Sequence, residues 1–297
     1  MTSINTNNSA MAALQTLRNV NSNLSKTQNH VSSGLRVEKA SDNAAYWSIA
    51  TTMKSDNSAL SAVSDALGMG AAKVDTAYTA VESSIDVVTQ IKAKLVAATE
   101  EGVDKGKIQD EITQLQDQLE SIASSASFNG QNWVQNTIGT TMSVVSSFVR
   151  DSSGGVSVNT TAYTSGADDL LLDDTGTDGI LGANGTASTS SIVGFTISSS
   201  TTKGDIDNLL TDVETALGKM TALGSKLGSI STRIDLQSNF VSSLSDAIDS
   251  GVGRLVDADM EEESSKLSAL QTQQQLAIQS LSIANSSSQN ILSLFRG

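Results

Sequence analysis

Residues 46–95 read YWSIATTMKSDNSALSAVSDALGMGAAKVDTAYTAVESSIDVVTQIKAKL. Within them Tyr46, Met53, Leu60, Leu67, Val74, Val81, Val88 and Leu95 recur every seven residues without a break. Ile49, Val63, Ala77 and Ile91, with Ala98 just beyond, form a companion row three positions on; Ala71, Tyr78 and Ile85 form a partial row four positions on. Seven residues make two turns of a slightly underwound helix. The pattern therefore lays one apolar stripe along a helix that needs a helical partner for its whole length. At ~1.5 Å per residue that helix reaches ~80 Å.

The rhythm extends in both directions. Upstream, Ala10, Ala13, Leu17, Val20, Leu24, Thr27 and Val31 alternate steps of three and four, and Gly34 falls on the next seam position, where it ends the helix. Between the two helices lies a joint, VSSGLRVEKASDNAAYW (31–47), holding Gly34, the charged Arg36, Glu38 and Lys39, and a helix-start signal at Ser41-Asp42-Asn43. Downstream, Glu100-Glu101-Gly102 breaks the pattern, and Ile108, Ile112, Leu115, Leu119 and Ile122 mark a shorter amphipathic helix that dies at the Asn129-Gly130 turn. Residues 137–204 are rich in Ser, Thr, Gly and Asp. They contain a predicted hairpin (Met142–Val149 with Val156–Tyr163) and a third strand-like run at Val193–Ile197, and are expected to be the most exposed part. Helical rhythm returns at Leu209, Val213, Ala216, Met220, Leu223, Leu227, Ile230, Ile234, Val241, Leu244 and Ile248. It slips phase across Gly251–Glu263 and restarts at Leu267, Leu270, Gln274, Ala277, Leu281, Ala284, Ser288, Ile291 and Phe295.

The two halves mirror each other: short terminal helix, joint, long helix. The expected fold is mainly α, an elongated rod in which the long heptad-pattern helices pair antiparallel, as do the terminal ones, with a small outer segment containing a β-hairpin. The expected division is 1–36 with 264–297 as terminal helices, 37–140 with 205–263 as a second layer, and 141–204 as the outer segment. A 38 % apolar and 3 % aromatic composition without proline suits thin helical bundles better than a thick core. The absence of cysteine excludes disulfides, thiolate metal sites and cysteine nucleophiles. A net charge of −14 makes nucleic acid an unsuitable partner. No run approaches the ~18 apolar residues of a membrane span, so no membrane insertion is expected. MTSINTNNSAMAAL lacks the basic-then-apolar order of a secretory signal peptide.

Charge is unevenly placed. All 32 acidic residues lie between Glu38 and Glu263; residues 1–37 carry Arg18, Lys26, His30 and Arg36, and residues 264–297 carry Lys266 and Arg296. Away from the seam, the terminal helices show amides and hydroxyls, among them Asn19, Asn21, Asn23, Gln271, Gln275 and Gln279. Such helices have little core of their own and are expected to order on self-assembly, because uncharged faces pack against further copies without repulsion. The candidate self-assembly residues are Leu17, Val20, Leu24, Val31, Leu270, Leu281, Ile291 and Phe295. The candidate joint residues are Gly34, Arg36, Ser41 and Asp42.

Five motifs carry a resemblance: SINTN at the start with Ala10 and Leu14, VSSGLRV at 31–37 with Ala40 and Asp42, EITQL at 111–115, SFNG at 127–130, and ILSLFRG at 291–297. In this order they resemble bacterial flagellin over roughly residues 1–135 and 205–297. The resemblance implies a structural subunit that self-assembles into the helical flagellar filament used for swimming. Terminal helices would line an inner tube, the long helices would form the next layer and the middle segment would face outward. The alternative is a flagellin-like hook–filament junction or cap protein. The resemblance also implies secretion through a type III export apparatus with an export chaperone, contacts with hook-associated and cap proteins, and many copies of itself as partners. Recognition by host innate receptors is expected to be weak, since Lys92-Ala93-Lys94 stands where many flagellins carry Arg-Glu-Leu.

No enzyme reading survives beside this one. His30 is the sole histidine and has no catalytic or zinc partners in sequence, and no Gly-rich phosphate loop is present. Asp168, Asp169, Asp173, Asp174 and Asp178 miss the spacing of a calcium loop. Catalytic, metal and cofactor sites are all expected to be absent.

Overall fold

The computed structural model describes residues 7–151 and 155–294, the stretch 287–294 by backbone alone. The helices are α1 (Asn8–Ser33), α2 (Ala44–Ala98), α3 (Lys105–Ser125), a single turn α4 (Gly179–Gly182), α5 (Lys203–Val256) and α6 (Met260–Leu294). The strands are β1 (Ser127–Phe128), β2 (Gln131–Asn132), β3 (Thr141–Arg150) and β4 (Val156–Thr164). Packing divides the chain into two compact units: Ser58–Ser245, and the chain on either side of it, up to Asn57 and from Asp246.

Local signals set the helix ends. The Asn7 side chain accepts from the Ala10 N–H, and Gly34 closes α1 at φ 72°, its N–H donating to the His30 carbonyl at 2.8 Å. Asn43, rather than Ser41 or Asp42, caps α2 by accepting from the Tyr46 N–H. Asp104 caps α3. At α5, Thr202 and Asp205 bond reciprocally: the Asp205 carboxylate accepts from the Thr202 N–H and hydroxyl, and the Thr202 hydroxyl oxygen accepts from the Asp205 N–H. Asp259 caps α6, whose first turn carries Glu261, Glu262 and Glu263 against the positive end of the helix dipole.

In the unit Ser58–Ser245 the heptad row is core. Leu60, Leu67, Val74, Val81, Val88 and Leu95 are buried, as are Leu209, Val213, Met220, Leu223 and Leu227 of α5. Lys92 of α2 pairs with Glu214 of α5, and Asp75 accepts from Ser231. Stepping back 17 residues along α2 (92 to 75) advances 17 along α5 (214 to 231), so the two helices run antiparallel. Lys94–Glu111 ties α3 to α2. Asn129 (φ 51°) and Gly130 (φ 75°) close the β1–β2 hairpin with both central residues left-handed, the turn for which Asn-Gly is suited. β3 and β4 pair antiparallel as the sequence predicts, with an irregularity between Val145 and Ser147.

Two expectations fail here. The segment after β4 is not a loose exposed stretch: Leu170, Leu171, Leu172, Ile180, Leu181, Ile192 and Phe195 are buried. Its backbone is knitted by Leu171 N–H to Val134 O, Ile180 N–H to Leu170 O and Ile192 N–H to Leu181 O. Val193–Ile197 is turn and irregular chain, not strand. Its polar groups are met by α3 side chains instead of a ladder: Gln116 Nε2 donates to the Ile192 and Phe195 carbonyls, and Gln109 Oε1 accepts from the Ile197 N–H.

Candidate self-assembly interface

The second unit carries the predicted assembly residues. On α1, Val20, Leu24 and Thr27 are buried, while Ala10, Ala13, Leu17 and Val31 are half-buried. On α6, Leu270 and Ala277 are buried, and Leu267, Gln274, Leu281 and Ala284 half-buried. Val20, Leu24 and Leu270 form one cluster with Leu267 against it. Asn7 Nδ2 donates to the Ala284 carbonyl, Gln274 Nε2 to Asn21 Oδ1, and His30 Nδ1 lies 3.1 Å from Glu263 Oε1. Numbers rise on α1 (7, 21, 30) as they fall on α6 (284, 274, 263), so these helices also pair antiparallel. A single chain thus already brings its ends together as helices, where the sequence suggested ends without order before assembly. The Ile291 side chain and Phe295 lie outside the described residues.

The seam is narrow. Exposed outside it stand Met11 (65 %) and Leu14 on α1, and Leu276, Ile278 and Ile283 (70 %) on α6, Ile278 to one side of the α6 seam and Leu276 with Ile283 to the other. The seven-residue period does not reveal these residues, because it marks only those that share one stripe. Large aliphatic residues on faces otherwise made of amides were the available signal.

The joint is stapled. Leu35 bridges Asp257, the Arg36 and Val37 N–H groups donate to the Val256 carbonyl, and the Ala258 N–H donates to the Gly34 carbonyl. Arg36 Nη2 donates to the Leu255 carbonyl at 3.1 Å, placing a guanidinium at the negative end of α5. Val37 is buried with Ala50, Val252 and Val256. Asp42 is exposed and accepts from the Lys39 and Glu38 N–H groups. The Lys39 N–H, the largest influence, helps hold the Asp42 carboxyl below its ordinary value. Ser41 is exposed. The N-terminal joint thus hydrogen-bonds residues 256–258, a pairing that the mirrored layout of the sequence hinted at without naming the partners.

Residues 4–138 match the family model for the bacterial flagellin N-terminal helical region, and residues 210–295 that for the C-terminal helical region. Flagellin A of Rhizobium meliloti (strain 1021) is 50 % identical over 394 aligned positions covering 100 % of both chains. The chain belongs to the bacterial flagellin family. Members of the family are structural subunits, not enzymes; many copies polymerise into the extracellular flagellar filament, and that is the function of this chain. Flagellin of Brucella melitensis biotype 1 is 48 % identical over 298 positions, again 100 % of both chains. The 394-position alignment against 297 residues means that the Rhizobium relative has 97 positions without a counterpart here; the Brucella alignment needs one. The crystal structure of Bacillus cereus flagellin aligns with 58 % of this chain and 86 % of its own, at 17 % identity and a TM-score of 0.42. Among the described residues, no helix is long and apolar enough to cross a membrane.

Proposed function

We propose that α1 and α6 are the polymerising elements of this subunit. In this reading residues 1–36 and 264–297 form the inner tube of the filament, 37–140 with 205–263 the layer around it, and 141–204 the outward segment. The observation that carries it is the set of exposed apolar side chains, Met11, Leu14, Leu276, Ile278 and Ile283, that flank the buried seam on both sides. A helix pair with apolar side chains open on faces nearly free of charge is suited to further copies of itself. Leu17, Val20, Leu24, Val31, Leu270 and Leu281 hold the pair together, and Ile291 and Phe295 carry on the same spacing in the sequence. Gly34, Arg36, Ser41 and Asp42 set the path of the chain out of the tube. Before assembly the same ends suit an export chaperone and the type III export apparatus; in the filament they suit hook-associated and cap proteins. Host innate receptors meet Lys92 and Lys94, which the subunit already engages with Glu214 and Glu111, in keeping with weak recognition.

Electron microscopy after salt-induced polymerisation tests the reading on three chains: the full protein, a truncation lacking 264–297, and Leu281→Asp. The full chain forms filaments. The truncation stays soluble and helical, melts cooperatively and forms none, because Ser58–Ser245 is a compact unit with its own heptad core. Leu281→Asp behaves similarly, since its carboxylate stands on a half-buried seam that packing against further copies would close over an unpaired charge. Filaments from the truncated chain would sink the proposal.

A further inference from the structure

The chain has no cysteine, so all of its sulfur sits in seven methionines. With no thiol to compete, their thioethers are among the groups that a hydroperoxide oxidises most readily. The fold sorts them. Met142 and Met220 are buried and Met53 is half-buried, whereas Met11 (65 %), Met69 (55 %) and Met260 (46 %) stand open. Met69 lies on α2 between Gly68 and Gly70, in the unit Ser58–Ser245 with its own core. Met260 opens the first turn of α6 beside Glu261, Glu262 and Glu263.

Met11 has different surroundings. It lies in the first turn of α1, with the exposed Leu14 three residues on as its neighbour on the helix surface. From Asn7 to Leu17 the sequence holds no charge, so these two side chains are the large apolar groups of a stretch made of amides, hydroxyls and alanines. Oxidation inverts the character of Met11. Its sulfur lone pair attacks one oxygen of hydrogen peroxide and the O–O bond breaks. The transferred oxygen loses its proton to the departing hydroxide, and water leaves. Sulfur is oxidised by two electrons and the peroxide reduced by two. The product sulfoxide carries a strong acceptor and no donor, and covering an acceptor that no donor meets is costly where covering a thioether is favourable.

We propose that Met11 is a peroxide-sensitive switch on assembly: its sulfoxide form is excluded from the filament, and packing against a second copy takes the thioether out of reach. The inference rests on the polymerising role of α1 and α6 proposed above and adds the chemical regulation of that surface. The switch is reversible, since methionine sulfoxide reductases return the thioether.

For the test, full-length subunit held below its polymerisation threshold is treated with hydrogen peroxide, cleared with catalase and divided. Peptide mass spectrometry reads the sulfoxide at each methionine, circular dichroism the melt, and sedimentation after salt-induced polymerisation the critical concentration. Oxidised wild type should keep its cooperative melt and show a critical concentration raised about tenfold, which reductase treatment reverses. Met11→Leu should polymerise as untreated wild type does, before and after peroxide, although Met69 and Met260 are oxidised in it. Met69→Leu with Met260→Leu should remain as sensitive as wild type. Met11→Gln, which places a polar group there without any oxidant, should raise the critical concentration in the same way. In preformed filaments Met11 should oxidise at least several-fold more slowly than in free subunits. If untreated wild type forms no filaments, the polymerising role itself falls. If Met11→Leu loses assembly after peroxide as wild type does, if Met11→Gln assembles normally, or if Met11 oxidises as fast in filaments as in free subunits, the switch is wrong while the polymerising role stands.

Discussion

Gly68 and Gly70 interrupt the long heptad helix two residues apart, and the same substitution at each has opposite consequences. A Cβ on Gly70 would lie 2.2 Å from Val144 Cγ1 and 3.3 Å from Val144 Cβ and Cγ2, whereas a Cβ on Gly68 meets nothing within 4 Å. Val144 cannot easily yield: it is 4 % exposed, β-branched, and paired with Thr161 in the β3–β4 ladder. Alanine in place of a helical glycine contributes about 1 kcal/mol of stability. Overpacking a filled site costs about 1–3 kcal/mol, and a stiff neighbour in a ladder puts Gly70→Ala toward the upper end. Gly70→Ala should therefore destabilise by about 1–2 kcal/mol net, and Gly68→Ala should stabilise by about 0.5–1 kcal/mol. Urea denaturation of both variants below the polymerisation threshold, followed by far-UV circular dichroism, measures the two. Gly70→Ala with Val144→Ala should return most of the loss. The close approach of β3 to α2 is wrong if Gly70→Ala stabilises the chain as Gly68→Ala does.

Three further outcomes follow from the same unit. Replacing Gly166–Ala187 by a Gly-Ser linker removes Leu170, Leu171, Leu172, Ile180 and Leu181 from the core, so the variant should lose cooperative melting and become protease-sensitive; wild-type resistance to limited trypsin would refute this. Gln116→Leu keeps the volume but leaves the Ile192 and Phe195 carbonyls without their donor, which should cost about 1–3 kcal/mol in the same urea titration. The Thr175 hydroxyl first, then the Asp178 N–H, hold the exposed Asp173 carboxyl down to about 2. A depressed carboxyl stabilises its turn above the ordinary unfolded value of about 3.9 and loses that stabilisation as pH falls through about 2, so the Thr177 and Asp178 amides should lose hydrogen-exchange protection over that interval and hold it at pH 5.

Much of the fold was legible because a seven-residue period is a statement about one helix face. Each seam position from Ala10 to Val31, and from Leu267 to Ala284, is at least half-buried, and Gly34 closes α1 where the period placed it. The reading fails toward the start of α2, where Tyr46 and Ile49 continue the arithmetic but are exposed. Period fixes which residues share a face, not how much of that face a partner covers. It fails again at 165–197, where a polar composition concealed packed leucines: the backbone there is satisfied by Gln109, Gln116 and Asp212, long-range partners that carry no local signature. At the candidate interface the stripes were readable. The exposed flanking aliphatics and the His30–Glu263 contact were not, since both depend on how α1 and α6 rotate against each other.

That rotation bears on why assembly and order should be linked. In the unit Ser58–Ser245, helix α2 meets α5 and also β3, near Gly70, so its seam is closed from several sides. Among the described residues the α1–α6 pair shows a cluster of three buried aliphatics, Val20, Leu24 and Leu270, along helices of 26 and 35 residues. Helix formation without tertiary packing is marginal in water, and so narrow a seam leaves the ends of this pair close to the point of opening. Toward the joint the pair is reinforced by the His30–Glu263 contact and the strap between Gly34–Val37 and Val256–Ala258; away from it, Leu17 and Leu281 are only half-buried. Fraying should therefore begin at Asn7 and Ala284 and stop near Leu24. Copies that cover Met11, Leu14, Leu276 and Ile283 would supply the missing apolar contacts at the end where a single chain has fewest, which makes polymerisation complete a helix pair already started rather than fold one from a disordered chain.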